Sequence, residues 1–157
     1  GRGLHCSSLV LYNHESPRRP LHFVTRKITH TVAAIARGDA DTLTLGNMAA
    51  RRDWGWAPDY VEAMVLAARN SQPDDYVIAT GESHSIAEFV EAAFAAVGIS
   101  NWKDRVQTDQ ALMRPQDASE LRGDASKAHK LLGWRPRVRF TELVTKMVLA
   151  DRRASGC

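Results

Sequence analysis

Hydrophobic and polar positions divide the chain into alternating strand-like and helix-like segments. Leu4 to Tyr12 is a nearly continuous apolar run, the pattern of a strand buried on both faces in a parallel sheet. It gives way to Asn13-His14-Glu15-Ser16-Pro17-Arg18-Arg19-Pro20, where two prolines oppose helix and ladder alike, so a loop is expected. A loop at the carboxyl end of a parallel strand is where open α/β sheets hold ligands. From Phe23 to Ala36 the positions Phe23, Val24, Ile28, Val32, Ile35 and Ala36 recur near helical spacing, with Gly38 as the stop. Thr42 to Leu45 alternates as a short strand and ends at the turn pair Gly46-Asn47.

Further along, Asp53-Trp54-Gly55-Trp56 reads as an aromatic loop or strand. Pro58 suits the first turn of a helix that carries Val61, Met64, Val65 and Ala68 inward. Tyr76 to Ala79 is a short strand ended by Thr80-Gly81. Ser85 and Glu88 form a capping box that opens a helix to Val97, stopped by Gly98. Asn101 to Glu120 is polar and irregular. Ala125 to Leu132 predicts a short helix ended by Gly133, and Thr141 to Arg153 a final amphipathic helix with arginines in its last turn. There is no internal repeat, and the pattern is mixed α/β with an α-rich second half.

Composition narrows the class. With 157 residues, 44% hydrophobic and 25% charged, the chain is of ordinary globular make-up and large enough to bury about 70% of its unfolded surface. Disordered and disulfide-stapled classes are excluded: Cys6 and Cys157 stand at opposite ends and form no C-x-x-C, which fits a reducing, cytoplasmic setting. No apolar run approaches the roughly 18 residues of a membrane span. The 21 Lys+Arg exceed the 18 Asp+Glu by only three, and the excess lies in Arg-bearing clusters. That distribution favours a local anion site over a nucleic-acid-coating surface. The chain starts at Gly1 and runs straight into its first apolar stretch, as though a segment upstream were missing.

The chemistry-bearing motifs are mostly excluded. The ten glycines allow no G-x-G-x-x-G, no Gly-Lys-Ser/Thr occurs, and none of the three tyrosines is followed four residues on by lysine. His14-Glu15 cannot open a zinc-binding helix, because position 18 is Arg and Pro17 blocks the helix, so no metal site is expected. His5, His22, His30, His84 and His129 form no ligand-spaced set and read as surface or locally bonded, while Trp102, Trp134, Met64 and Met147 read as packing residues.

Three cationic groups remain. The first, Asn13 to Arg19, places a histidine and two guanidiniums at a strand end, suited to gripping phosphate and equally to forming a solvated turn. The second, Arg51-Arg52-Asp53-Trp54, could meet a diphosphate or a stacked base, or could be a surface ion pair. In the third, Arg114-Pro115-Gln116-Asp117, Arg114 could bind an anion and Asp117 accept from a ribose diol, or both could be ordinary loop charges. Lys27, one turn into the first helix, points back toward the first loop. Together these suggest an anionic small-molecule site without naming its ligand.

Six segments, in order, carry a resemblance: Asn13-His14-Glu15-Ser16-Pro17-Arg18-Arg19, Phe23-Val24-Thr25-Arg26-Lys27-Ile28, Leu45-Gly46-Asn47, Arg52-Asp53-Trp54-Gly55, Asp59 to Met64, and Asp75 to Gly81. From about Leu4 to Asp151 the chain resembles the GDP-mannose 4,6-dehydratase family of the extended short-chain dehydrogenase/reductase superfamily. The resemblance implies an α/β fold, the C-terminal part of an NAD(P)-binding Rossmann domain with a mixed, α-rich substrate-binding domain. Residues 1–21 would be the last part of the Rossmann domain and the ligand loop. Residues 22–157 would mainly bind the GDP-sugar, with some segments returning to the Rossmann sheet.

It also implies a lyase that uses NADP to convert GDP-mannose to GDP-4-keto-6-deoxy-mannose plus water, acting in the cytoplasm as a homodimer or homotetramer and binding neither nucleic acid nor membrane. By position, His14 and Arg19 would contact NADP. Asn13, Lys27, Arg52 and Arg114 would surround the nucleotide-sugar, with Arg52 and Arg114 at the diphosphate and Asp117 on the ribose. The family's catalytic Thr, Glu and Tyr, its cofactor-binding Lys and its glycine-rich loop all precede Leu4, so no catalytic residue is expected here and the chain alone should be inactive. The sequence departs from the family pattern at Ser8-Leu9, Pro20 and Ser119. Alternatives are another nucleotide-sugar epimerase, dehydratase or reductase of the superfamily, or a non-catalytic anion-binding module.

Overall fold

The computed structural model describes residues 4–113 and 118–154. Its sheets are short and mostly parallel. Strand β1 (Leu9–Leu11) pairs in parallel with β6 (Tyr76–Ile78), β2 (Asn13–Glu15) with β5 (Trp54–Trp56), and β3 (Leu43–Leu45) with β8 (Val106–Thr108). Strand β4 (Arg51–Arg52) lies between β7 (His84–Ser85), antiparallel, and β9 (Glu120–Leu121), parallel. The helices are α1 (Val24–Arg37), α2 (Ala57–Arg69), α3 (Ile86–Ala95), α4 (Ser126–Leu132) and α5 (Phe140–Ala154). None among the described residues is long and apolar enough to cross a membrane.

The helix ends follow their local chemistry. Gly38 and Gly133 close α1 and α4 at φ of 84° and 66°, a conformation that favours glycine. Ser85 and Glu88 form the capping box at α3, each satisfying the other's backbone N–H.

Two hydrophobic clusters hold the layers together. One joins α1, α3 and α5 to β3 through Ile28, Val32, Leu43, Phe89, Phe94, Leu143 and Met147, with Trp54 at its margin toward β5. The other packs α2 and α4 on β1 and β6 through Tyr60, Ala63, Ala67, Tyr76, Ile78, Ala128 and Trp134. Between α1 and α5 the guanidinium of Arg26 pairs with the buried carboxylate of Asp151, and Arg26 Nε donates to the Pro17 carbonyl at 3.1 Å. One arginine thus fixes both the helix pair and the loop preceding α1.

Several sequence expectations need correction. The Leu4–Tyr12 run forms strand only over Leu9–Leu11, and Val10 is 57% exposed, so the strand is covered on one face here rather than both. Asn13–Glu15 belongs to a ladder rather than a loop, because both prolines fall beyond it and leave its amides available. Within Asn101 to Glu120, Val106–Thr108 is a strand on β3.

On α2 the apolar period is right and the face is wrong. Tyr60, Ala63 and Ala67 are inside, while Val61, Met64 and Val65 are exposed. The alanines allow close approach to the sheet. Gly55 makes room for the Tyr60 ring, which a Cβ there would overlap.

Asp53 ties the parts together. Buried between Arg52 and Trp54, its Oδ1 accepts from the amide of Thr80 at 2.9 Å and its hydroxyl at 2.6 Å, and its Oδ2 from the amides of Gly81 at 2.9 Å and Gly123 at 3.3 Å. Leaving buried donors unpaired costs about 1–3 kcal/mol each. Asp53→Ala is therefore expected to destabilise the fold by roughly 3–5 kcal/mol in urea unfolding, and Asp53→Asn by less. A loss below about 1 kcal/mol for the alanine variant would contradict this role.

Candidate functional site

Strand β2 ends where the chain turns through Ser16 to Phe23 into α1, and a cavity of about 520 Å³ opens at this turn. Its walls come from several elements. The turn supplies Arg19, His22 and Phe23, and α1 supplies Val24 and Lys27. The end of β3 supplies Leu45, Gly46 and Asn47, β4 and β5 supply Arg52 and Trp54, and Ile86 and Leu112 complete it beside Asn13. No aspartate or glutamate lines it among the described residues, and three permanent cations do. Such a cavity selects anions.

Each cation is held by identifiable contacts. Arg52 Nη1 donates to the carbonyls of Arg51 at 2.7 Å and Ala118 at 2.8 Å, which fixes its fork on the strand. Arg51 points the other way, donating to the Ser83 carbonyl at 2.6 Å and to Glu88 at 3.2 Å, so the two adjacent arginines do different work. Burial pushes the Glu88 carboxyl up, but the Ser85 amide and Arg51 outweigh it and hold the group below the usual range. Arg19 lays its guanidinium over the Phe23 ring, 3.6 Å from the centroid, while its Nε stands 3.4 Å from Glu15 without hydrogen-bond alignment. Lys27 faces the cavity with no carboxylate partner among the described residues.

The first turn of α1 adds to the same field. It contains no acidic residue, and Phe23 gives no side-chain cap, so its amides stay available near the cavity. Behind the cavity Glu15 is buried and accepts from Thr25 Oγ1 at 2.8 Å. Burial raises its carboxyl above the usual range, more strongly than Thr25, Arg19 and His14 lower it.

His14 lies outside the lining. Its Nδ1 donates to the Tyr12 carbonyl at 2.9 Å and its ring stacks on Tyr60 at 5.0 Å, which leaves Nε2 as the atom that can meet a ligand. The Tyr60 hydroxyl is buried without a partner. Burial and the carboxylates of Asp53, Asp59 and Glu15 push it well up, so it keeps its proton.

Of the residues singled out from the sequence, Asn13, Arg19, Lys27 and Arg52 converge on one cavity, while His14, within β2, is not among its lining residues. Arg114 and Asp117 lie outside the described residues. His22, Phe23 and Leu112 are lining residues that the sequence does not point to as ligand groups, whereas Trp54 belongs to the second cationic group. A signal for one wall exists at Gly46, where a Cβ would stand 2.5 Å from the Leu112 carbonyl oxygen. Only glycine permits that closure.

A family model for GDP-mannose 4,6 dehydratase matches residues 1–147. The chain belongs to the GDP-mannose 4,6-dehydratase family. It is similar to GDP-mannose 4,6 dehydratase 1 of Arabidopsis thaliana, with 52% identity over 149 residues, 95% of this chain and 41% of that protein. With the GDP-mannose 4,6 dehydratase of Homo sapiens the identity is 47% over 158 residues, 90% of this chain and 42% of that protein. The chain therefore spans about two fifths of the length of these relatives.

Among solved structures it resembles RMD from Pseudomonas aeruginosa, complexed with NADPH, at a TM-score of 0.88 and 19% identity, covering 97% of this chain and 50% of that one. It also resembles the dTDP-glucose 4,6-dehydratase of Bacillus anthracis, in complex with NAD, at 0.79 and 17%, covering 94% and 44%. The chain thus shares the fold of about half of each of these proteins, mixed α/β with parallel pairing.

Glu15 gives this site a pH signature. Because its folded-state value lies above the ordinary 4.5, its contribution to stability is fully present below that value and is lost as pH rises through the higher folded value. Glu15→Gln keeps an acceptor for Thr25 and cannot ionise. The variant should gain stability relative to the parent as pH rises from about 4.5 to 7, as read by urea unfolding. A difference that stays constant across this range would contradict it.

Proposed function

We propose that the protein containing this chain is an NADP-dependent GDP-mannose 4,6-dehydratase, a lyase, and that these residues form its nucleotide-sugar-binding part. The observation that carries this reading is a cavity lined by Arg19, Lys27 and Arg52 with no carboxylate among the described residues, in a chain of the dehydratase family. A diphosphate is the group such a set of charges matches, and a guanidinium fork with a nearby ammonium can hold its two phosphoryl units. Asn13, Lys27 and Arg52 bind the nucleotide-sugar, with Arg114 at the diphosphate and Asp117 on the ribose. Residues 1–21 close the Rossmann domain and carry the ligand loop. Residues 22–157 mainly bind the GDP-sugar and send segments back to the sheet.

His14 and Arg19 fit the NADP side of the same turn. Arg19 Nε is buried without a hydrogen bond, and the Nδ1 bond of His14 to the Tyr12 carbonyl fixes its ring and leaves Nε2 as the nitrogen that can meet a ligand. A bound nicotinamide supplies hydride acceptance and return at the hexose. What this chain's residues do is hold the diphosphate, and through it the sugar, in one orientation. The general base and the cofactor's main site belong to the rest of a cytoplasmic, homodimeric or homotetrameric enzyme.

The complete protein is expected to convert GDP-mannose to GDP-4-keto-6-deoxy-mannose with NADP, and the 157 residues alone to give no product. Arg52→Ala and Lys27→Met should each weaken GDP-mannose binding roughly 10- to 100-fold, the range of a lost charge-assisted contact. Tighter binding of UDP- or dTDP-hexoses than of GDP-mannose would move the protein to a neighbouring specificity. Unchanged binding in both variants would overturn the assignment of this cavity.

A further inference from the structure

The turn that brings Arg19 to the cavity is pinned at its central peptide. Ser16 to Arg19 closes on itself, the Arg19 amide donating to the Ser16 carbonyl at 3.0 Å. Inside it, the peptide joining Pro17 to Arg18 has both polar groups engaged. Its N–H donates to Ser16 Oγ at 3.3 Å, and its carbonyl accepts from Arg26 Nε at 3.1 Å. The first bond is internal to the turn, whereas the second comes from α1. Arg26 is in turn held from α5, where its Nη1 pairs with the carboxylate of Asp151, 125 residues away in the chain.

Asp151 is an unexpected residue for its place. It is 2% exposed and lies in the last turn of α5 beside Arg152 and Arg153, where the helix carbonyls oppose a negative charge. Burial opposes the charge as well, and a guanidinium partner offsets both. The pairing also selects arginine at position 26. A planar fork can face Asp151 through Nη1 and the Pro17 carbonyl through Nε at once, while a lysine ammonium is a single point of charge on a flexible stem.

Pro17 fixes its own φ and the Arg19 amide closes the turn, so Ser16 to Arg19 moves as one body. Holding its central carbonyl therefore sets where its last residue, Arg19, lays its guanidinium over Phe23. Neither Arg26 nor Asp151 lines the cavity.

We propose that Arg26 and Asp151 are positioning residues of this site: Asp151 holds Arg26, Arg26 holds the Pro17 carbonyl, and the turn so held presents Arg19 to the cofactor. The proposal rests on the assignment of Arg19 to NADP made above and adds two residues that act through it.

The test is a double-mutant cycle on the complete protein, read by NADPH binding. Arg19→Ala should weaken binding roughly 10- to 100-fold, the range of a lost charge-assisted contact. Arg26→Lys keeps the positive charge and loses the Pro17 bond, and should weaken it roughly three- to tenfold, a displacement effect rather than a lost contact. In the Arg19→Ala background Arg26→Lys should cost no further affinity, since the turn then has no guanidinium to present. A general loosening of the fold would instead lower affinity by the same factor in both backgrounds. Asp151→Asn, which keeps the size of the side chain, carries the same cycle from the α5 end.

Unchanged affinity in Arg26→Lys or in Asp151→Asn, or losses that multiply with that of Arg19→Ala, overturns the positioning role and leaves the cofactor reading standing. Unchanged affinity in Arg19→Ala overturns both.

Discussion

The Asp53 carboxylate lies at the junction on which the rest of the structure depends. It accepts hydrogen bonds from Thr80 and Gly81 and from Gly123, two segments distant from it and from each other in the chain, and its neighbours in sequence line different spaces. Arg52 enters the cavity and Trp54 enters the core. A buried carboxylate is stable only when its oxygens are satisfied, so these four bonds are a requirement of placing the group there. They also fix the strands β4 and β5 against the end of β6. The register of β5 on β2 in turn places Asn13 opposite Trp54 and His14 opposite Gly55. Two segments about forty residues apart are thereby set in one frame.

The cavity follows from how charge is distributed around that frame. Its carboxylates are withdrawn: Glu15 lies beneath Arg19, Asp53 is saturated by amides and a hydroxyl, and Glu88 is occupied by Arg51 and the α3 cap. The cations stay at the surface of the opening. Positive charges gathered at one opening favour an anionic ligand. The uncapped first turn of α1 contributes in the same direction.

Much of this was legible in the sequence where local chemistry decides the outcome. The Ser85–Glu88 box, the glycine stops at Gly38 and Gly133 and the helical period of α1 and α5 all depend on neighbours in the chain. The order of six motifs pointed to Asn13, Lys27 and Arg52 as one group and to Arg19 with His14 as another, and the fold brings Arg19 into the lining of the first. Burial of α2 was not. Val61, Met64 and Val65 have the same period as Tyr60, Ala63 and Ala67, and hydropathy alone cannot choose between two apolar faces of one helix. The place of His22 in the cavity wall was also hidden, since that wall depends on the folding back of β3 and Leu112. Strand β2 escaped for a related reason: its pairing with β5 joins segments about forty residues apart.

The central claim is that the cavity between α1 and β4 holds a nucleoside diphosphate. A crystal structure of the protein with GDP-mannose tests it most directly. The account predicts phosphoryl oxygens within hydrogen-bonding distance of Lys27 Nζ and the Arg52 guanidinium, with Gly46 and Leu112 closing over the ligand. A nucleotide seated elsewhere, such as in the cleft beside Arg122 and His129, with Lys27 and Arg52 left in solvent, would contradict it.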